Sequence, residues 1–187
     1  MLEKIKRDSL SYLRESRKYI YYSALAFFVI AVFAFFFSDR LTFLDSVLEN
    51  LISKTRGLEG FDLALYILAN NVQSAFFAII FGSFISIVPV FNLVANGLVL
   101  GYVFSMVVES HGFIELWRIL PHGIFELPAI FIAIGLGIKL GASFFTDRPL
   151  ITFRERLYFS MCVFVTIILP LLMLAALIEG MLIDLIR

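Results

Sequence analysis

The chain has 187 residues, of which 61% are hydrophobic and 22 are phenylalanine, and its formal net charge at pH 7 is zero. A soluble domain is closer to half apolar, and long apolar runs are typical of membrane spans. The balanced charge favours no nucleic-acid partner, and the single cysteine, Cys162, excludes an internal disulfide and a cysteine-rich metal site. We therefore expect an all-α, polytopic helical membrane bundle with about five transmembrane helices and an amphipathic interfacial helix.

The N-terminal 18 residues are polar and basic and carry a weak helical stripe of leucine and isoleucine. This pattern predicts a short amphipathic helix that lies on an anionic cytoplasmic membrane surface. Residues 19–37 contain no charge and open with interfacial tyrosines, which predicts the first span. That apolar run is too long for a cleavable signal peptide and lacks a small-residue cleavage site, so we expect a retained span.

The rest of the chain predicts a single transmembrane domain over residues 19–187. Four further spans are expected at residues 61–85, 88–108, 120–141 and 157–179. Between the first two spans, residues 41–54 place apolar side chains on one helical face and polar ones on the other, which predicts an interfacial helix. Residues 146–156 are polar and predict a loop before the last span.

The basic residues orient these spans in the membrane. With the N-terminus in the cytoplasm, ten lysines and arginines fall in segments on the inside and five in segments on the outside. Because cytoplasmic segments carry an excess of basic residues, the count predicts a multi-pass protein of the cell membrane with a cytoplasmic N-terminus and an external C-terminus.

The pattern His-Gly-x-x-Glu occurs twice, eleven residues apart. His111 and Glu115 fall in an external loop, whereas His122 and Glu126 fall within the fourth span, where ionisable groups are expensive and are functional suspects. Histidine and glutamate one turn apart can reach the same point, and their ligand atoms suit zinc or another divalent metal. Glu179 is the first choice for a third ligand, followed by His111 or Glu115. A structural His–Glu hydrogen bond is the alternative.

Further polar side chains are predicted at a similar depth. Asn70 and Asn71 lie in the second span and Asn96 lies in the third. Amides inside a membrane need partners, so they indicate either contact between helices or a ligand site. With the predicted topology, these groups converge on the outer half of the bundle. Small residues predict closely packed helix faces at Gly97, Gly101, Ala129, Ala133, Gly137 and Gly141.

The polar motifs of the last four spans form one set: Asn70-Asn71, Asn96-Gly97, Pro121-His122-Gly123, Glu126-Leu127-Pro128-Ala129 and Ile178-Glu179. Over roughly residues 60–180 this set resembles the stage II sporulation protein M family. The founding member of that family is a polytopic membrane protein that acts in engulfment, in a complex that recruits peptidoglycan-degrading partners. The resemblance implies a membrane protein that works through partners. It also implies shared polar positions at Asn70, Asn96, His122, Glu126 and Glu179.

Three functions remain compatible with the sequence. The first is a membrane scaffold or assembly subunit, expected as a homodimer or with membrane protein partners, in which the His/Glu cluster fixes the bundle. The second is a transporter or permease subunit that uses the cluster as an ion site. The third is an intramembrane metal-dependent hydrolase. Catalysis is unsupported, since the chain has no His-Glu-x-x-His motif, no matched nucleophile and base, and no glycine-rich phosphate loop.

Overall fold

A computed structural model of the chain describes residues 2–58, 60–83, 86–118 and 120–186. Within these ranges the regular elements are helices. The α-helices are α1 (Leu2–Glu15), α2 (Arg17–Phe36), α3 (Phe43–Thr55), α4 (Gly60–Ile80), α5 (Ile87–His111), α6 (Leu120–Gly141), α7 (Pro149–Val163) and α8 (Leu169–Ile186). Short 3₁₀ turns connect several of them, and a π-helical segment, Phe164–Ile168, joins α7 to α8 without a break.

Five helical segments in the described part of the chain are long and apolar enough to cross a membrane. They are Arg17–Phe36, Gly60–Ile80, Ile87–His111, Gly123–Phe145 and Pro149–Ile178. Their mean hydropathies run from 1.6 to 2.8, and a bilayer core needs about 20 apolar helical residues. The predicted class, an all-α multi-pass membrane protein, is confirmed.

Helix α6 lies at the centre of the bundle. Over its spanning window 56% of the residues are buried inside the protein, against 33% or less for the other four spans. It contacts α2, α4 and α8. Glycine permits these close approaches: a methyl group added at Gly137 would collide with the carbonyl oxygen of Ala78 in α4. The small-residue face predicted for this helix therefore lies against α4, and Ala129 and Ala133 are fully buried beside it.

The other predicted glycine pair lies where α5 packs on α2. A methyl group at Gly101 would overlap the carbonyl of Ala31, and one at Gly97 would come within 3.1 Å of the Phe27 carbonyl oxygen. Since neither position leaves room for a side chain, the two helices approach with their backbones nearly touching.

Helix α3 packs at one end of the bundle, where side chains of α5 hold the segment that contains it. The Tyr102 hydroxyl donates a hydrogen bond to Asp45 Oδ1 at 2.6 Å. Ser105 Oγ lies 2.9 Å from Ser38 Oγ, just before α3 begins. The predicted interfacial helix over 41–54 thus corresponds to Phe43–Thr55.

The opposite end gathers the basic side chains, and we call it the basic end. Here the α4–α5 turn lies beside the end of α6, with Ser86 Oγ donating to the Ile138 carbonyl oxygen at 3.1 Å. The junction of α1 and α2 reaches the same level, since Ser16 accepts a hydrogen bond from Lys139. This end carries Arg14, Arg17, Lys18, Lys139, Arg148, Arg154 and Arg156.

The last span begins earlier than the sequence predicted. Residues 149–156, expected in a polar loop, form the first two turns of α7, because Pro149 fits a first helical turn where its missing N–H costs nothing. Further along, Pro170 cannot donate to the preceding turn, and the π-helical segment directly before it accommodates the lost bond. The whole stretch is therefore one long helix.

Helix α1 makes a contact with the bundle that the sequence did not predict, and its position on an anionic membrane surface stays a prediction. It packs lengthwise against α7, with the side chains of Ser9, Tyr12 and Ser16 buried. Two small serines one heptad apart flank the tyrosine and allow this close contact, whereas Arg7 and Arg14 point to the exposed side.

Candidate functional site

The polar side chains of the spanning helices lie along a seam between α4, α5 and α6. We call this set the amide seam; it consists of Asn70, Asn71, Gln73, Ser74, Asn92, Asn96 and Glu126. Four of its members come from little more than one turn of α4, where residues at i, i+3 and i+4 share a helix face. The remaining members come from the two neighbouring spans. Asn92 and Asn96 lie on α5, which runs antiparallel to α4, and Glu126 lies on α6, which runs parallel to it.

A chain of hydrogen bonds links α4 to α5 within the seam. The Asn92 amide nitrogen donates to Ser74 Oγ at 2.8 Å. The Asn96 amide nitrogen in turn donates to the backbone oxygen of Asn92 at 2.8 Å and to its side-chain oxygen at 3.1 Å. The two Asn96 bonds lie within α5, whereas the Asn92–Ser74 bond joins two helices; an interhelical bond of this kind holds membrane helices together by roughly 0.6 kcal/mol, and by up to about 2 kcal/mol in favourable cases.

Glu126 joins the seam from α6. The Asn71 side chain of α4 lies close enough to interact with its carboxyl group, which is partly buried. The pairing supplies a protein partner for the one acidic group of the seam at membrane depth. It connects α4 and α6 through two residues that the sequence singled out.

Three members of the seam present an amide at the surface of the protein. Asn70, Gln73 and Asn96 are exposed, and the side chains of Asn70 and Gln73 have no hydrogen-bond partner among the described residues. Asn96 uses both amide hydrogens on Asn92, while its carbonyl oxygen has no described partner. Amide groups left toward lipid are costly, so this surface is adapted to a polar neighbour.

The seam crosses the middle of the bundle and is not confined to the half predicted to be external. Ser74, which pairs with Asn92, lies six residues before the end of α4 at the basic end. At 1.5 Å per residue that is about 9 Å, which is nearer to the basic end than to the other end of a core about 30 Å thick. The Ser74–Asn92 pair, which was not part of the predicted cluster, extends the seam toward the basic end, and convergence of the predicted groups on the outer half stays a prediction.

The predicted metal site is described only in part. The side chains of His122 and Glu179 lie outside the described residues, so Glu126 alone represents the proposed ligand triad. His111 is exposed at the C-terminal end of α5, and Glu115 follows in the 3₁₀ segment Phe113–Arg118. Across the described side chains, no three His, Cys, Asp or Glu residues are placed to hold a metal ion. Zinc or another divalent metal at this triad remains a sequence-based hypothesis.

A second polar cluster, which the sequence did not predict, lies at the basic end. Lys139 is only 7% exposed, whereas a lysine near the end of a span commonly extends its ammonium group toward the membrane surface. Its ammonium nitrogen donates to Ser16 Oγ at 3.0 Å and lies 3.7 Å from Glu15 Oε2. The same nitrogen lies 3.7 Å from the centre of the Tyr12 ring.

Arg156 completes this cluster from α7. Its guanidinium donates to the Lys139 carbonyl oxygen and, at 3.3 Å, to Ser143 Oγ. Burial raises the pKa of Tyr12, whose hydroxyl lies 3.4 Å from the Arg156 carbonyl oxygen. The cluster surrounds a polar cavity of about 330 Å³ and ties α1, α6 and α7 together. The small–aromatic–small pattern of α1 was the one sequence signal for it.

The fold and the seam define a class of protein: a polytopic membrane bundle whose spans are joined by polar contacts at membrane depth. The profile of the family described as Stage II sporulation protein M matches residues 23–182, which is most of the chain and includes every seam residue. The chain belongs to this family, which confirms the resemblance and extends it to the first span. The curated proteins and the solved structures give no match to this chain.

Proposed function

We propose that this protein is a membrane assembly subunit that associates inside the bilayer through the exposed edge of its amide seam. The observation that carries the proposal is the exposure of the amides of Asn70, Gln73 and Asn96 on spanning helices. Lipid tails offer these groups no hydrogen bonds, whereas a polar partner helix does. Membership of a family whose founding member works in a membrane complex supports the same role.

A second copy of the chain is the partner that this chemistry favours. A carboxamide carries both donors and an acceptor, so a surface of carboxamides can pair with its own copy across a two-fold axis. Hydrogen bonds to Ser74 and Asn92 hold part of the seam within each copy, and this fixes the helices that present the outer amides. The expected assembly is a homodimer with α4 and α5 at its interface.

The basic end of this subunit is proposed to face the cytoplasm. Seven lysines and arginines gather there, and cytoplasmic segments of membrane proteins carry such an excess. The α1–α2 junction lies at this end and, because five candidate spans follow, α8 ends at the opposite one, so the N-terminus is proposed to be cytoplasmic and the C-terminus external.

The proposal is tested by measuring self-association in a lipid bilayer. Energy transfer between differently labelled copies should report a dimer for the wild type and a dissociation constant about ten-fold weaker or more for the triple variant N70L/Q73L/N96L, given the strength of interhelical hydrogen bonds. Asn50→Leu serves as the control, because Asn50 is an exposed amide of α3 outside the seam. A monomeric wild type, or equal association of the triple variant and wild type, would rule the proposal out.

A further inference from the structure

An apolar groove opens between the α1–α2 junction and α6, away from the amide seam. It encloses about 530 Å³ and is lined by Leu13, Ile20, Phe131 and Ile132, with Arg14 and Arg17 also at its walls. This size lies within the range of about 300–1,000 Å³ that is typical of small-molecule sites. The groove therefore combines an apolar lining with two arginine side chains.

The groove runs from the basic end toward the membrane centre. Ile20 of α2 packs against Gly135 of α6, and the groove extends along α6 to Pro128. Seven helical residues correspond to about 10 Å along the membrane normal for an untilted helix. Arg14 and Arg17 lie on either side of Ser16, where α1 gives way to α2, so the charges stand at the headgroup end of the groove.

The two arginines have no acidic partner among the described side chains. Both are exposed, and the neighbouring carboxylate of Glu15 lies 3.7 Å from the Lys139 ammonium on the other side of α1. Guanidinium groups are well suited to phosphate because they offer several donors in a fixed plane. At the end of the groove where an acyl chain would join its headgroup, an anionic headgroup would thus meet the two unpaired guanidinium groups.

We infer that this groove is a binding site for one anionic phospholipid, with an acyl chain along Ile20, Phe131 and Ile132 and the phosphate at Arg14 and Arg17. Both parts of such a lipid have a matching surface on the protein: the chain has the apolar wall and the headgroup has the arginine pair. A helix from a second copy would place backbone and side chains against the wall but would leave the two guanidinium groups without an anion.

The inference is tested on the full-length protein by native mass spectrometry after exchange into micelles that contain equal amounts of phosphatidylglycerol and phosphatidylcholine. One phosphatidylglycerol per chain should be retained in preference to phosphatidylcholine. The R14Q/R17Q variant should reduce that preference by about ten-fold or more, because each basic residue near an anionic surface contributes about five-fold. Arg154→Gln, which removes an exposed charge from the same end, should leave it unchanged.

A second variant blocks the groove without changing charge. Leu13→Trp, at a half-buried position of the groove wall, would obstruct the groove, and it should lower retention of both lipids while the protein keeps its helical content and single-species elution. Equal retention of the two lipids by the wild type, or unchanged preference in R14Q/R17Q, would overturn the inference. Tyr21 is an exposed residue that also lines the groove, and efficient cross-linking of a Tyr21→Cys variant to a second copy would overturn the inference too, since a protein would then cover the site. The lipid preference does not depend on the proposed dimer. The N70L/Q73L/N96L variant should therefore keep the wild-type preference for phosphatidylglycerol even if it no longer self-associates.

Discussion

The ammonium nitrogen of Lys139 lies over the face of the Tyr12 ring, 3.7 Å from its centre, and so joins the central helix α6 to the N-terminal helix α1. The ion pair with Glu15 adds little, because the Glu15 side chain is 67% exposed and solvent weakens such pairs. The ring and the Ser16 hydroxyl therefore hold the lysine, and the lysine in turn fixes α1.

The two sides of this contact should respond differently to substitution. Tyr12→Leu removes the ring and leaves a buried cation, so it should weaken the docking of α1 by about 2 kcal/mol, the scale of a desolvated cation–π contact. Lys139→Met removes the desolvated charge together with its contacts and should cost less. Amide hydrogen exchange of α1 measures both effects. Equal protection of α1 in wild type and Tyr12→Leu would contradict the assignment.

The same contact should make the docking of α1 sensitive to high pH. Burial raises the pKa of Tyr12 above its ordinary value of 10.0, so the docked helix favours the neutral phenol. Stabilisation is then complete below pH 10.0 and declines at higher pH, where Tyr12 of the undocked helix ionises first. Limited proteolysis of residues 2–15 should accelerate in that range for the wild type and less so for Tyr12→Phe, which keeps the ring but cannot ionise.

Glycine packing between α2 and α5 gives a prediction on stability. Gly101→Ala places a methyl group against the Ala31 backbone, and the required separation of the helices should cost about 1–3 kcal/mol. Gly123→Ala is the matched control, because a methyl group there meets no side chain closer than 3.8 Å and alanine favours a helix. Unfolding in mixed micelles, followed by circular dichroism, should rank Gly101→Ala below wild type and Gly123→Ala at or above it.

Metal binding by His122, Glu126 and Glu179 is tested by elemental analysis of detergent-purified protein. The sequence-based hypothesis predicts zinc or another divalent metal near one equivalent per chain, and its loss in Glu126→Gln. Glu49→Gln is the control, because it removes an exposed carboxylate of α3 that is not among the candidate ligands, and this variant should keep the metal. If wild type and Glu126→Gln contain the same trace amount, the hypothesis fails and the role of Glu126 reduces to its contact with Asn71.

Membrane orientation is tested by labelling single cysteines in a Cys162→Ser background. A membrane-impermeant maleimide added to intact cells should label a cysteine at Asn50, on α3, and should label one at Arg154 only after the cells are opened. Both positions are exposed in the folded chain, so access depends on the side of the membrane. The reverse pattern would place the basic end outside.

The sequence predicted the spans because the length of an apolar run can be read directly along the chain. It also placed Asn71, Asn96 and Glu126 at membrane depth, since charge and amide groups stand out within apolar runs. It could not predict that α1 packs on α7, because an amphipathic helix fits a lipid surface and a protein surface equally well. The buried position of Lys139 was missed for the same reason: its partners Tyr12 and Ser16 lie more than 120 residues away in the chain.

The unbroken helix over residues 149–186 is long for a membrane span. At 1.5 Å per residue it extends for about 57 Å, nearly twice the thickness of the hydrocarbon core of about 30 Å. Its first turns carry α1 at the basic end, whereas Val163, Ile168 and Leu172 belong to the buried core. A molecule that binds α1 or α7 outside the bilayer therefore contacts the same continuous helix that packs in the interior, with the π-helical segment and Pro170, the usual sites of helix bending, between the two parts.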